Sequence, residues 1–193
     1  MSEQPRGEDA ALVAVQAALA GRPGALTGAR ALSHFGEHSA GWLAVAGLGA
    51  VLAPDRRREW VTAGVGAFAA HAAAVLIKRV VRRERPHHPD VAVNVGTPSR
   101  LSFPSAHATS TTAAALLIGR VTGLPLPAVL VPPMVLSRLV LGVHYPSDVL
   151  AGVVVGAAVA QATSAVSDAL LDGRAGRCGR QSRSGAWRSG MSR

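Results

Sequence analysis

Along the 193 residues, apolar positions gather into five blocks, 41–53, 61–77, 106–119, 121–136 and 149–167, joined by short polar or basic links. A helix that crosses a bilayer needs about 20 mostly apolar residues. Only 61–77 and 149–167 approach that length unaided; the other three reach it when the polar residues at their ends are included. Those ends carry Lys78, His107, Arg138 and Asp148. Trp42 and Trp60 stand at block ends, where aromatic side chains suit a membrane interface. Gly152 and Gly156, four apart, let the last block approach a neighbouring helix closely. The pattern predicts an all-α transmembrane bundle of about five to six helices.

Outside the blocks, 12–20 is a short apolar helix candidate that cannot span. With 23–32 it forms either an interfacial segment or a reduced first helix, and the pattern alone leaves both open. Residues 172–193 hold six Arg among Gly and Ser without an apolar period, which predicts a disordered basic tail. The expected organisation is an N-terminal segment over 1–40, a membrane domain over 41–171 and a tail over 172–193. No internal repeat is visible.

Composition points the same way. Hydrophobic residues make up 49% of the chain and charged ones 16%, against about a quarter charged in soluble domains. The net charge is +9, and Lys78 is the only lysine among 20 basic residues. Cys178 stands alone, so neither an intramolecular disulfide nor a cysteine-based metal site can form. The first nine residues are polar and carry Glu3, Glu8 and Asp9, unlike the basic start and apolar core of a cleavable signal peptide. Insertion is therefore expected from internal segments. The basic tail has one aromatic, Trp187, and no stacking platform, so nucleic acid is not an expected partner.

Three clusters carry candidate chemistry. The first runs from Lys78 to Arg85-Pro86, at the end of an apolar block. The second is Pro104-Ser105-Ala106-His107, just before another block. The third is Ser137-Arg138, with His144 six residues beyond Arg138 and Asp148 four further on. Singly, each has an ordinary explanation: Lys78 and Arg138 as snorkelling cations, Pro104-Ser105 as a helix start, Asp148 as a favourable charge at a helix N-terminus. Together they mean more. If the helices alternate in direction, all three clusters fall on one membrane face, and ionisable groups at membrane depth usually face a polar site. Lys78, Arg85 and Arg138 could neutralise phosphate oxygens, and the amides around Ser105–His107 make an anion site. Two histidines could divide the roles of nucleophile and proton donor, with a carboxylate fixing the tautomer of one.

The pattern Lys-x6-Arg-Pro, Pro-Ser-x-His and Ser-Arg-x5-His-x3-Asp resembles the type 2 phosphatidic acid phosphatase (PAP2) superfamily, which also includes bacterial acid phosphatases and vanadium haloperoxidases. The resemblance covers roughly 78–148. It implies His144 as nucleophile, Asp148 as its orienting group, and His107 as the group that protonates the leaving oxygen and later activates water. It assigns phosphate binding to Lys78, Arg85 and Arg138, assisted by Ser105 and the amide of Ala106, and needs neither metal nor cofactor. Ala106 replaces the family's usual glycine, but an alanine keeps its N–H and a helix start does not demand positive φ.

The implied activity is hydrolysis of a lipid phosphate in the bilayer by way of a phosphohistidine. Phosphatidic acid, phosphatidylglycerol phosphate, a polyprenyl diphosphate and a polyprenyl-linked sugar phosphate of cell-wall synthesis are the substrate candidates. Two alternatives are haloperoxidase chemistry, whose members are larger and soluble, and an idle phospholipid binder, which would need cations but no His144, His107 and Asp148 set. His71, two turns before Lys78, is expected as a hydrogen-bonder in the bundle interior. His34, Glu37 and His38 precede the first span and either line the mouth of the site or, as the commoner case, sit in a solvated loop; His87 and His88 are expected as loop residues. Basic residues favour the cytoplasmic side. With the N-terminal segment left out of the count, Arg56, Arg57, Arg58, Arg120 and the six tail Arg outnumber the seven on the other face, which puts the clusters on the exterior or periplasmic face. Arg79, Arg82, Arg83 and Arg100 have no role in that reading.

Overall fold

The computed structural model describes residues 4–186, with the side chains of 4–170. Seven α-helices follow in order: α1 (Glu8–Leu19), α2 (Ala25–Gly36), α3 (Ala40–Leu52), α4 (Arg57–Val81), α5 (Ala106–Thr122), α6 (Leu126–Val140) and α7 (Pro146–Ala186). Short 3-10 turns, Glu37–Ser39 and Pro54–Arg56, precede α3 and α4. The long α4–α5 link holds a lone antiparallel bridge between Glu84 and Leu101.

Local chemistry sets the helix ends. Arg82 takes a left-handed conformation (φ 54°) and closes α4 by donating its N–H to Lys78 O at 2.9 Å. Ser105 caps α5, its hydroxyl accepting the N–H of Ala108 at 3.4 Å. Gly123, at φ 76°, ends the same helix. That turn and Pro125 move the start of α6 to Leu126, five residues past the start of the apolar block at Val121. Helix α7 opens on Pro146, where a missing N–H costs nothing.

Helix α5 is central and packs against α3, α4, α6 and α7. Its seams are built from small residues: Ala63, Ala67 and Ala70 of α4, Ala113 and Ala114 of α5 and Ala160 of α7 are buried together. Lipid is as apolar as a leucine side chain, so helices in a bilayer gain from close backbone approach rather than from escape from water. Gly152 and Gly156 provide that approach. A Cβ on Gly152 would lie 2.8 Å from Ser105 O, and one on Gly156 would overlap Thr109 O. Large apolar side chains point outwards instead, among them Leu48, Val65, Phe68, Leu76, Val129 and Val154.

Among the described residues, two segments are long and apolar enough to cross a membrane, Pro54–Val81 (28 residues, mean hydropathy 1.7) and Pro146–Leu170 (25 residues, 1.9). Helices α3, α5 and α6 have 13, 17 and 15 residues. At 1.5 Å per residue they cover roughly 20–26 Å, less than the ~30 Å hydrocarbon core. Their polar ends therefore lie within the depth spanned by α4 and α7.

The N-terminal segment is helical in both parts. Helix α1 packs against α6 and α7, and α2 against α6, α3 and α5. Gln16 of α1 ties the α4–α5 link to α6: its Nε2 donates to Ala92 O (2.7 Å) and Val140 O (3.1 Å), and its Oε1 accepts the N–H of Ala92 (3.0 Å). The expected disordered tail is corrected in part, since α7 continues through Ala186. Ala, Arg and Gln are good helix formers, and the preceding span has already nucleated the helix. Residues 187–193 lie outside the described residues.

The α5–α7 seam gives a direct test. Gly156→Leu should lower stability in detergent by about 1–3 kcal/mol, the usual cost of overpacking, read as a drop in melting temperature. Val154→Leu, on the outward face of α7, should melt like the parent.

Candidate active site

Three link and helix-end segments meet at one end of the bundle. The end of α4 and the residues after it bring Lys78, Arg83 and Arg85. The start of α5 brings Ala106 and His107, and the α6–α7 turn brings Arg138, His144 and Asp148. A cavity of about 420 Å³ opens there, lined by Lys78, Arg85, Ala106, His107, Arg138 and His144 among others. Helices of alternating direction thus carry the three sequence clusters to the same face, as their spacing predicts.

His144 is at the floor and almost fully buried. Arg85 Nη1 lies 3.3 Å from its Nε2. A guanidinium has donors only, so Nε2 is the accepting nitrogen and Nδ1 carries the proton. Asp148 Oδ2 stands 3.6 Å from Nδ1 on the other side of the ring. Burial, then the charges of Arg85, Arg138 and Lys78, hold the imidazole well below its ordinary pKa of 6.5. The ring is therefore neutral at physiological pH, with its lone pair on the nitrogen beside the cations.

The cations are held by backbone oxygen. Lys78 donates to Leu101 O (3.1 Å) and Ser102 O (2.7 Å). Arg85 donates through Nε to Ser99 O (2.8 Å) and through Nη1 to Val143 O (2.6 Å). Burial pushes its pKa down to about 10, partly offset by Asp148, so it stays charged. Arg138 donates to Ser33 Oγ at 2.8 Å, while its buried Nε has no partner among the described residues. His107 donates Nε2–H to Ser33 O at 2.9 Å. Gly36 lies against the same ring: a Cβ there would come within 2.7 Å of His107 Cδ2.

Ser105 and Asp148 sit behind the cavity wall. Ser105 is fully buried, its hydroxyl accepts within α5, and its N–H reaches Asp148 O at 2.9 Å. It joins the start of α5 to the start of α7 instead of lining the cavity. Asp148 Oδ2 also accepts the N–H of Tyr145 at 2.8 Å.

Several residues depart from the sequence expectation. Arg83, which had no role, donates Nη1 to Asp148 Oδ1 (3.1 Å) and Ser147 Oγ (2.6 Å) and Nη2 to Glu8 Oε2 (2.5 Å). Its guanidinium also lies 4.2 Å over the Tyr145 ring. Glu8 accepts the N–H of Ser147 at 2.9 Å. Burial raises the Glu8 pKa, but the bonds from Ser147 and Arg83 outweigh it and leave the value below 4.5. The folded value being the lower, the tie is complete above the unfolded carboxylate range and is lost only as acid protonates Glu8 through that lower value. His34, at the end of α2, and Glu37 and His38, in the 3-10 turn before α3, are exposed and line the cavity, as the site-mouth reading has it. His71 lines it too, and its Nδ1 lacks a hydrogen-bond partner among the described residues, so it is not the interior hydrogen-bonder expected. The domain boundary drawn at residue 40 cuts through this site. No periodicity flags Ser33 or Glu8; the three acidic residues near the N-terminus were the one available signal.

The PAP2 superfamily model matches residues 59–171, more than half of the chain. The chain belongs to the PAP2 superfamily. It is 78% identical over 152 residues to the decaprenylphosphoryl-5-phosphoribose phosphatase of Mycolicibacterium smegmatis, covering 79% of this chain and 84% of that protein. With the Mycobacterium tuberculosis protein of the same name it shares 69% over 170 residues, 88% of this chain and 94% of the relative. Among solved structures, the transmembrane PAP2 type phosphatidylglycerolphosphate phosphatase from Bacillus subtilis aligns with a TM-score of 0.65 at 22% identity, over 82% of this chain and 85% of that one. Aquifex aeolicus LpxE aligns with a TM-score of 0.61 at 17% identity, over 84% and 98%. At those identities the two structures establish the shared fold: an all-α PAP2 bundle. With its family and close relatives, the chain is a PAP2-type membrane phosphatase.

Two PAP2 variants test the supports around the cavity. Arg83→Met should lower kcat at least tenfold and leave KM within about threefold, because it acts through Asp148; a matching rise in KM would mean direct contact with substrate. Gly36→Ala should lower kcat by a similar factor, since the methyl group must push the His107 ring out of register. Both are read from steady-state hydrolysis by folded protein.

Proposed function

We propose that the chain hydrolyses the phosphate monoester of decaprenylphosphoryl-5-phosphoribose on the outer face of the membrane, through a phosphohistidine on His144. The observation that carries the chemistry is His144 itself, neutral, with Nε2 beside Arg85 at the cavity floor and Asp148 behind Nδ1. The substrate is favoured by the two relatives of that name at 78% and 69% identity.

In this reading the phosphoryl oxygens sit among Lys78, Arg85 and Arg138, with the N–H groups at the start of α5 adding to the positive field. Nε2 of His144 attacks phosphorus as the bond to the ribose oxygen breaks. His107, its Nε2 held by Ser33 O, gives the leaving oxygen a proton from Nδ1. The ribose lipid departs. His107 then takes a proton from water, the water oxygen attacks phosphorus, the P–N bond breaks, and orthophosphate leaves with His144 restored. Asp148 stabilises the charge that His144 carries while phosphorylated. The cations supply the charge neutralisation that a divalent metal would otherwise give, which supports metal-independent turnover.

Orientation follows from the basic residues. The tail Arg, with Arg56, Arg57, Arg58 and Arg120, favour the cytoplasm. On the site face, Lys78, Arg85 and Arg138 line the cavity, so phosphate binding rather than topology accounts for their place.

His144→Ala should lose turnover, since no other group replaces a covalent nucleophile. Acid-quenched labelled phosphate should appear on the parent protein and be absent from the variant; label trapped on His144→Ala would move the nucleophile elsewhere. Turnover should survive EDTA and be inhibited by vanadate, which mimics the pentacoordinate transition state. Loss in EDTA with rescue by magnesium would overturn the metal-independent scheme.

A further inference from the structure

The cavity holds a second polar group that the hydrolytic scheme leaves unused. His71 lies on α4 seven residues before Lys78, so about 10 Å further towards the bilayer middle along the helix axis. His38 reaches the same level from the other wall: its neighbour Ser39 donates Oγ to Ala67 O, one turn before His71, at 3.5 Å. The two rings lie 5.9 Å apart between centroids, tilted by 47°. Both line the cavity, as does Glu37.

We infer that His38 and His71, with Glu37, form a subsite that reads hydroxyl groups on the headgroup between the scissile phosphate and the lipid chain. This rests on the phosphatase reading above and adds what decides among its substrates. A lipid whose chain stays in the bilayer and whose monoester reaches the cations must pass the level of His71.

Three observations fix the chemistry. A neutral imidazole offers one donor and one acceptor, the complement of a hydroxyl, and His38 and His71 both line the cavity. Glu37 accepts from a hydroxyl, and the arginines and lysine of the wall, Lys78, Arg79, Arg85 and Arg138, all lie at or beyond the outer turn of α4 and at the ends of its neighbours. The backbone at this wall is also unusual. His38 and Ser39 have φ of 50° and 61°, left-handed values that are costly outside glycine and persist only where the surroundings hold them. Fully buried Ser39 supplies that hold, and the turn projects His38 into the cavity. A metal site is not indicated, because no three His, Cys, Asp or Glu side chains among the described residues group closely enough.

The test uses full-length enzyme in detergent and two lipids: decaprenylphosphoryl-5-phosphoribose, and an analogue in which an unsubstituted pentyl chain replaces the ribose. The analogue keeps both phosphates and lacks the sugar hydroxyls. The parent should prefer the sugar lipid by about tenfold or more in kcat/KM, the scale of one or two hydrogen bonds lost. His71→Leu and His38→Gly should each cut that preference at least fivefold, and His71→Gln, which keeps a donor and an acceptor, should retain most of it. His38→Gly carries the test if His71→Leu does not fold, since glycine suits the φ of 50° there. No preference in the parent, an unchanged preference in the variants, or an equal loss on both lipids would overturn the subsite. Failure of the parent to hydrolyse either lipid would instead overturn the phosphatase reading on which it rests.

Discussion

Three cations gathered around one neutral imidazole at the buried end of a helix bundle repel one another, and the rest of the site is organised around that repulsion. Burial, and then the charges of Arg85, Arg138 and Lys78, depress the proton affinity of His144. In water such charges would be screened; inside the bundle they are not. The chain answers with carbonyl oxygens from Ser99, Leu101, Ser102 and Val143 and a hydroxyl from Ser33. The long link between α4 and α5 exists largely as a source of those oxygens. Beside the three cations the site has little negative charge of its own, with Asp148 of α7 behind His144 and Glu37 at the cavity wall. A bound phosphate provides that charge, so the geometry that makes the empty site costly is the same geometry that makes phosphate binding favourable.

The short helices serve the same end. Because α3, α5 and α6 fall short of the hydrocarbon thickness while α4 and α7 do not, polar helix ends can stand below the level of the membrane surface without meeting lipid. Irregular backbone is tolerated at such depth when it lines a cavity, and the turn before α3 and the start of α5 both do so here. Alanine and glycine seams keep these helices in register, which in turn keeps the start of α5 next to the start of α7 through the bond from Ser105 N–H to Asp148 O.

Much of this was legible in the sequence, for an identifiable reason. Lys78, His107, Arg138, His144 and Asp148 each sit at a fixed offset from the end of an apolar block, so alternation of helix direction alone brings them to one face. Arg83 shared that location, but its role depends on Glu8 and Ser147, which are remote along the chain, and no local pattern encodes such a pairing. His34, Glu37 and His38 precede an apolar block, which leaves the site mouth and a solvated loop both open; the left-handed backbone at His38 and Ser39 that sets the wall there has no glycine to announce it. His71 was placed on the correct helix face, and only the cavity beside that face was missing. The apolar blocks 106–119 and 121–136 place the break between α5 and α6 too early; the left-handed turn at Gly123 sets it instead.

The ties made by α1 have a consequence for the order in which the protein is completed. Gln16 bonds to Ala92 and Val140, and Glu8 bonds to Arg83 and Ser147. Chains emerge N-terminus first, so the helix made earliest cannot dock until residue 147 has been synthesised. Until then Arg83 has no carboxylate, Asp148 has not been made, and the cations of the first cluster face an incomplete wall. The phosphate site therefore comes into being in one step, late, when the last span arrives and the first helix closes over it. A ribosome that stalls in α6 would leave a chain that is inserted in the membrane yet chemically inert.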